Sequence, residues 1–334
     1  MTKSETGTER KKMTESAIAA SQDGWHRACS LFCFLLCAGG VAASVLSTSA
    51  SAQELEPRAF SPSPIGTNFA LAAFTHLDGD VSLDPSLPIT NVHANINAYT
   101  VGYAHTFALL GKQTSVALAL PNVRAGVTGD VAEVGEREAD RTGIGDLGLR
   151  FAINLLGGAA LTPEEFAHRT PGTIVGIDLK IRAPTGQYDP SKLINIGSNR
   201  WAFKPEIGIS QPIGKWFVDA IAGAWVFTDN NNFFGGKRRS EDPLYSLQLD
   251  AGYEFRPGLW LSANGTYYTG GETSTNGVQG GDRQQNTRYG ITASAPLGAG
   301  WSTKFSWSRG LTTRIGGNYD EYTFALQYRW FTRY

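Results

Sequence analysis

Residues 321–334 close the chain with EYTFALQYRWFTRY. On an extended backbone Tyr322, Phe324, Leu326, Tyr328, Trp330 and Tyr334 share one face. Thr323, Ala325, Gln327, Arg329 and Arg333 share the other, with Phe331 the large apolar exception on the polar side. Successive side chains of a strand point to opposite faces, so this period of two reads as a strand with one polar side. Its second face is too apolar to meet water.

The same pattern recurs toward the amino terminus. Tyr245, Leu247, Leu249, Ala251, Tyr253 and Phe255 alternate with Ser246, Gln248, Asp250, Gly252 and Glu254. Tyr99, Val101, Tyr103 and Phe107 alternate with smaller or polar residues, and Val175, Ile177, Leu179 and Ile181 alternate with Gly176, Asp178, Lys180 and Arg182. Weaker copies occupy 147–155, 201–209, 287–295 and 301–307. A soluble sandwich and a transmembrane barrel share such alternation, but the sandwich covers its apolar face with a second sheet and the barrel turns it to lipid. Aromatic residues gathered at strand ends, a terminal strand finishing on an aromatic residue, and connections alternating between short and long favour the barrel.

Strands are expected near 67–77, 93–108, 112–128, 144–156, 172–185, 200–210, 215–228, 244–255, 258–269, 286–296, 299–310 and 320–332. That is an all-β, antiparallel up-and-down barrel of about twelve strands, each long enough to cross a bilayer at a tilt. Tight connections at Gly111, Pro212–Gly214, Arg256–Gly258 and Pro296–Gly300 would face the periplasm. The longer ones around 78–92, 129–143, 186–199, 229–243, 270–285 and 311–319 would be external. The exception is 157–171, where Thr162-Pro163-Glu164-Glu165 has the form of a capping box with proline in the first turn and predicts a short periplasmic helix.

The first fifty residues differ in kind. Cys29–Leu46 is an uncharged run of 18 residues preceded by His26 and Arg27 and followed by small residues up to Ala50-Ser51-Ala52. This reads as a signal peptide over 1–52 with a long charged front, then a periplasmic segment 53–66 and a barrel over 67–334. All three cysteines, Cys29, Cys33 and Cys37, fall inside the signal, which suits an oxidising compartment. Across the whole chain 29 Lys and Arg oppose 30 Asp and Glu. That balance gives no electrostatic footprint for nucleic acid.

Particular residues carry a likeness. Ala183-Pro184-Thr185-Gly186-Gln187-Tyr188-Asp189-Pro190, Asn195-Ile196-Gly197-Ser198-Asn199-Arg200-Trp201 with Phe203-Lys204-Pro205, and Gly143-Ile144-Gly145-Asp146-Leu147 resemble the family named for the meta-pathway of phenol degradation; Ile65-Gly66-Thr67-Asn68 does so more weakly. The likeness implies a transporter-like barrel of the Gram-negative outer membrane taking up aromatic or other hydrophobic compounds. Partners would be membrane lipid, a small-molecule solute and the barrel-assembly machinery, and the oligomeric state is left open. The acidic stretch Glu133–Asp140 and the basic Lys237-Arg238-Arg239 depart from the family pattern.

With the polar faces turned inward, the lumen would hold Asp146, Arg150, Asp178, Lys180, Arg182, Lys204, Glu206, Asp219, Asp250, Glu254, Arg288, Lys304 and Arg329. The mixture of signs suggests ion pairs bracing the lumen and not a strongly charge-selective pore. Trp225 shares the inward parity with Phe217, Ile221 and Phe227, as do Trp260 and Tyr268 on the ninth strand. These residues either form a slide for aromatic solutes or mark a bulge that exchanges the faces.

The reading is a passive channel, not an enzyme, with a closed-lumen structural or adhesive barrel as the alternative and an outer-membrane lipase less favoured. Ser198 is preceded two residues earlier by Ile196 where a lipase pattern would place histidine. Nothing in the sequence points to a cofactor or metal; Asp78, Asp80 and Asp84 lack the frame of a calcium loop.

Overall fold

The computed structural model describes residues 56–82 and 89–332. The expected signal peptide, 1–52, lies outside them. In chain order the strands are β1 (Thr67–Ser82), β2 (Ile89–Leu109), β3 (Lys112–Val131), β4 (Gly135–Ile144), β5 (Leu147–Leu156), β6 (Ile174–Ala183), β7 (Ala202–Ile213), β8 (Trp216–Phe227), β9 (Asn230–Phe233) and β10 (Lys237–Glu241). They continue with β11 (Leu244–Arg256), β12 (Leu259–Gly270), β13 (Thr273–Thr275), β14 (Val278–Gln279), β15 (Gln284–Gly298), β16 (Trp301–Thr313) and β17 (Gly316–Phe331). The helix α1 (Pro163–Ala167) lies between β5 and β6.

The main sheet runs β2-β1-β17-β16-β15-β12-β11-β8-β7-β6-β5-β3-β4, and pairing of β2 with β3 closes it. The strands β4 and β5 are two pieces of one stave, because both pair with β3 and only Gly145 and Asp146 separate them. The result is a closed antiparallel barrel of twelve staves. Its seam joins the chain ends, with Thr67 opposite Phe331 and Asn68 opposite Trp330. Closure removes the open edges that would otherwise leave backbone N–H and C=O groups unpaired in hydrocarbon.

The outer face is apolar around the circumference: Val101, Leu118, Phe151, Leu179, Ile209 and Val218 are exposed on one half, and Leu249, Leu261, Ile291, Phe305 and Phe324 on the other. A contiguous apolar surface of this kind far exceeds what a water-soluble protein tolerates, about 300–600 Å² for its largest patch. Aromatic rings crowd the periplasmic rim, where Trp301 lies 4.9 Å from Tyr328 and Trp216 5.0 Å from Tyr253. Rings that are apolar in body and polar at the edge sit well at a bilayer interface.

Helix α1 follows its predicted signal: Thr162 is the N-cap, its hydroxyl accepts the Glu165 N–H, and the Glu165 carboxylate accepts the Thr162 N–H. Those two bonds hold the exposed Glu165 carboxyl below the usual carboxylate range.

Four expected external loops are instead ordered into strand. The stretch 129–143 forms a hairpin of β3 with β4, and 311–319 shrinks to a tight turn between β16 and β17. The stretches 229–243 and 270–285 supply β9, β10, β13 and β14, which form a separate four-stranded sheet. These strands are polar on both faces, as in Lys237–Glu241, so an apolar period could not mark them.

Candidate functional site: the lumen wall

Alternation decides what faces inward. On β8 the side chains of Phe217, Asp219, Ile221 and Trp225 are buried while Trp216, Val218 and Val226 are exposed to the outside. The strand pairs with β11 in unbroken register, so no bulge exchanges its faces and the aromatic residues stand inside. Trp225 packs with Ala202, Leu244, Tyr268 and Phe227. Across the lumen, Leu77, Val81, Val92, Ala94, Ile96, Val127, Ile315 and Tyr319 form an apolar cluster near the external end.

The segment before β1, expected to lie in the periplasm, is drawn into the barrel over residues 56–63. Arg58 donates its backbone N–H to Asp219 at 2.9 Å and its guanidinium to Glu254 at 2.9 Å. The same guanidinium lies 4.9 Å from the Phe217 ring and 5.8 Å from Trp260. Glu56 pairs with Lys180 at 2.9 Å. The Phe60 ring is buried beside Ile174 and Ile221 in a slot floored by Gly176 and Gly208, where a Cβ on either glycine would come within 2.3 Å of the ring. Complementary charges and a glycine slot on the wall together outweigh solvation of this short strap in the periplasm. The alternating strand pattern gave no signal for it, since the strap is neither strand nor helix.

The predicted inward residues sort into three groups. Arg150 pairs with Asp178 at 2.5 Å, and Glu206 takes Lys180 at 3.0 Å and Lys204 at 2.7 Å. Arg182 lies 4.9 Å over the Trp225 ring, with Lys204 5.9 Å from the same ring. These make one continuous network with Glu56 on β5, β6 and β7. Asp219 and Glu254 hold Arg58, while Asp250 accepts from Asn264 at 2.7 Å and from Gln248 at 2.8 Å. Arg288 stands apart, donating to Ser308 at 2.8 Å and facing Glu321 at 3.6 Å.

Three predicted residues lie outside these groups. Asp146 accepts from the Gly186 N–H at 2.9 Å and from the Ser198 N–H and hydroxyl at 2.9 and 2.5 Å, so it pins the external connection between β6 and β7. Arg329 is exposed at the periplasmic rim, 5.6 Å over Phe331. Lys304 is exposed and shares the parity of buried Ser308 on β16.

The residues that carried the family likeness meet at Asp146. Gln187 donates its N–H to Ile144 O, Gly197 donates to Gln187 O, and Thr185 accepts from the Leu147 N–H. A Cβ on Gly197 would come within 2.6 Å of Gly186, so the two loop turns touch backbone to backbone. The signature is therefore a knot folded at the break between β4 and β5.

Sequence reading missed a second ionic cluster on the outer sheet. Arg200 pairs with Glu241, and Arg239 lies 3.8 Å from Asp282. Burial pushes Arg239 down to about 10 against the pull of Glu241, which leaves it protonated at neutral pH. Arg200 lies 4.4 Å over Phe227 and Arg239 4.8 Å over Phe233.

A closed twelve-stave barrel with an apolar belt, an aromatic rim and a polar interior is an outer-membrane β-barrel, and that membrane is its place. The chain belongs to the family described as "Putative MetA-pathway of phenol degradation", whose model matches residues 78–327. It is similar to the outer membrane channel COG4313 from Pseudomonas putida F1, with 23% identity and a TM-score of 0.72 over 83% of this chain and 100% of that one. More distant are the KdgM porin, at 9% identity and TM-score 0.42 over 77% and 98% of the two chains, and the CymD monoaromatic hydrocarbon channel, at 9% and 0.41 over 81% and 90%. No curated protein matches the chain.

Proposed function

We propose that this barrel is a non-enzymatic outer-membrane channel for passive uptake of small aromatic or hydrophobic compounds. Family membership and the fold shared with a solved outer membrane channel support the reading. The observation that carries it is the interior. A general porin lines its lumen with polar groups and water, whereas this wall carries Phe217, Ile221, Trp225, Trp260 and Tyr268 with Leu77, Ile96 and Tyr319 across from them. Burying such side chains against a passage makes it favourable to apolar solutes by the same transfer free energy that builds a core.

The strap at Glu56–Phe60 and the dense ion pairing favour a second reading, a barrel whose lumen stays shut and whose role is structural. Uptake of labelled aromatic compounds by a deletion strain and by its complemented parent separates the two. The channel reading expects lower uptake without the gene; equal uptake across a broad panel of aromatic compounds overturns it.

A further inference from the structure

Among the described residues, the cations stacked on aromatic rings along the inner face fall on one side of the barrel, continuing a further pair in the four-stranded outer sheet. From the external end inward the rungs are Arg239 on Phe233, Arg200 on Phe227, Arg182 and Lys204 on Trp225, Arg150 on Phe60 at 5.5 Å, and Arg58 on Phe217 and Trp260. Phe217 and Phe227 are the ends of one β8 face, about 33 Å of strand at roughly 3.3 Å per residue. The ladder therefore runs along most of the length of a single wall.

Arg58, Arg150, Arg200, Lys204 and Arg239 each have a carboxylate partner, but the partners are unequally placed. The side chain of Arg150 is 23% exposed against 1% for Asp178, and Lys180 is 14% exposed against 5% for Glu206. The carboxylate recedes into the wall and the cation stands between it and the lumen. Two pairs run the other way: Arg58 is 26% exposed against 31% for Glu254, and Lys180 is 14% exposed against 25% for Glu56 of the strap. The opposite wall reverses the order: Arg288 is 1% exposed and Glu321 17%.

Resting on the uptake function proposed above, we propose that this wall selects organic anions bearing an aromatic ring, monocyclic aromatic carboxylates being the simplest class. The solute's carboxylate meets the guanidinium of Arg150 or the ammonium of Lys204, which stand forward of their wall carboxylates, and the ring exchanges stacking partners with the cation and the aromatic side chain beneath it. Neither an aliphatic acid nor an aromatic cation satisfies both halves of a rung.

The test uses the full barrel in planar bilayers, with folding checked by its resistance to SDS before heating. Permeabilities to benzoate, cyclohexanecarboxylate and phenyltrimethylammonium are taken from reversal potentials. Benzoate is expected to exceed each of the other two by about fivefold or more, the scale of one cation–π contact. Arg182→Gln should shrink both ratios, Arg182→Lys should keep the preference over phenyltrimethylammonium and lose that over cyclohexanecarboxylate, and Glu321→Gln on the far wall should change neither. Equal passage of benzoate and phenyltrimethylammonium, or of benzoate and cyclohexanecarboxylate, overturns the inference and leaves the uptake function standing. Passage of sodium and chloride with neither ring-bearing ion overturns both.

Discussion

The wall of β6, β7 and β8 and the wall of β16, β17 and β1 lie across the lumen from one another in the twelve-stave circle. They solve the same problem, an inner face that must be neither wet nor unpaired, in different ways. On the first, charge and ring alternate: Asp178, Lys180, Lys204 and Glu206 interlock, and Trp225 lies under Arg182. On the second, Leu77, Val81 and Tyr319 simply pack together, with Arg288 facing Glu321 nearby. The strap docks on the first wall because only there do glycines and opposed charges offer it a seat. The first wall presents charge and ring together, whereas the second is mostly apolar.

The comparison breaks most visibly if the strap is removed. Arg58→Ala combined with Phe60→Ala should free the segment and raise single-channel conductance several-fold; conductance equal to the wild type would mean that the strap does not set the constriction. Gly208→Val reaches the same end from the wall, since a side chain there collides with the Phe60 ring, and the two changes should not add.

A second effect is on stability. Glu206→Gln leaves Lys180 and Lys204 facing each other without their shared carboxylate, a loss of about 3–5 kcal/mol for a buried pair, read as a lower unfolding temperature in detergent. Glu321→Gln, whose carboxylate is only distantly paired, should cost clearly less. Equal losses would erase the distinction between the walls.

A smaller effect is expected at the knot. Asp146→Ala removes the acceptor for Gly186 and Ser198, so external protease should cut within 184–200 faster while conductance stays near the wild-type value. The smallest effect belongs to α1, outside both walls. The Glu165 carboxyl is depressed by its bonds to Thr162, so its capping is complete above the ordinary carboxylate pKa and is lost as pH falls through the lowered folded value. Amide protection factors at Glu165 and Phe166 should fall in acid, and Thr162→Ala should show that lower protection already at neutral pH.

Much of this was legible beforehand, and the reason is periodicity. A stave between lipid and lumen must alternate, so Tyr245–Phe255 and Tyr322–Trp330 announced themselves. Signals failed where a strand is polar on both faces, as in Glu136–Arg141 of β4 and in β10, because no apolar period distinguishes such a strand from a loop. The partners of Asp146 could not be read from the sequence, because it sits at the break between β4 and β5 and meets two loop turns that the chain brings back from forty and fifty-two residues away.

The sequence by itself determined the number of staves, their order and the sense of their faces, since these follow from local alternation and from connections short enough to force antiparallel neighbours. Only the tertiary structure decided that Phe60 fills a glycine slot more than a hundred residues away in the chain, that Asp146 gathers two distant glycine turns, and that the cations of one wall stand forward of their carboxylates. Those arrangements depend on closing the sheet, which brings together residues whose separation along the chain carries no information about their distance in space.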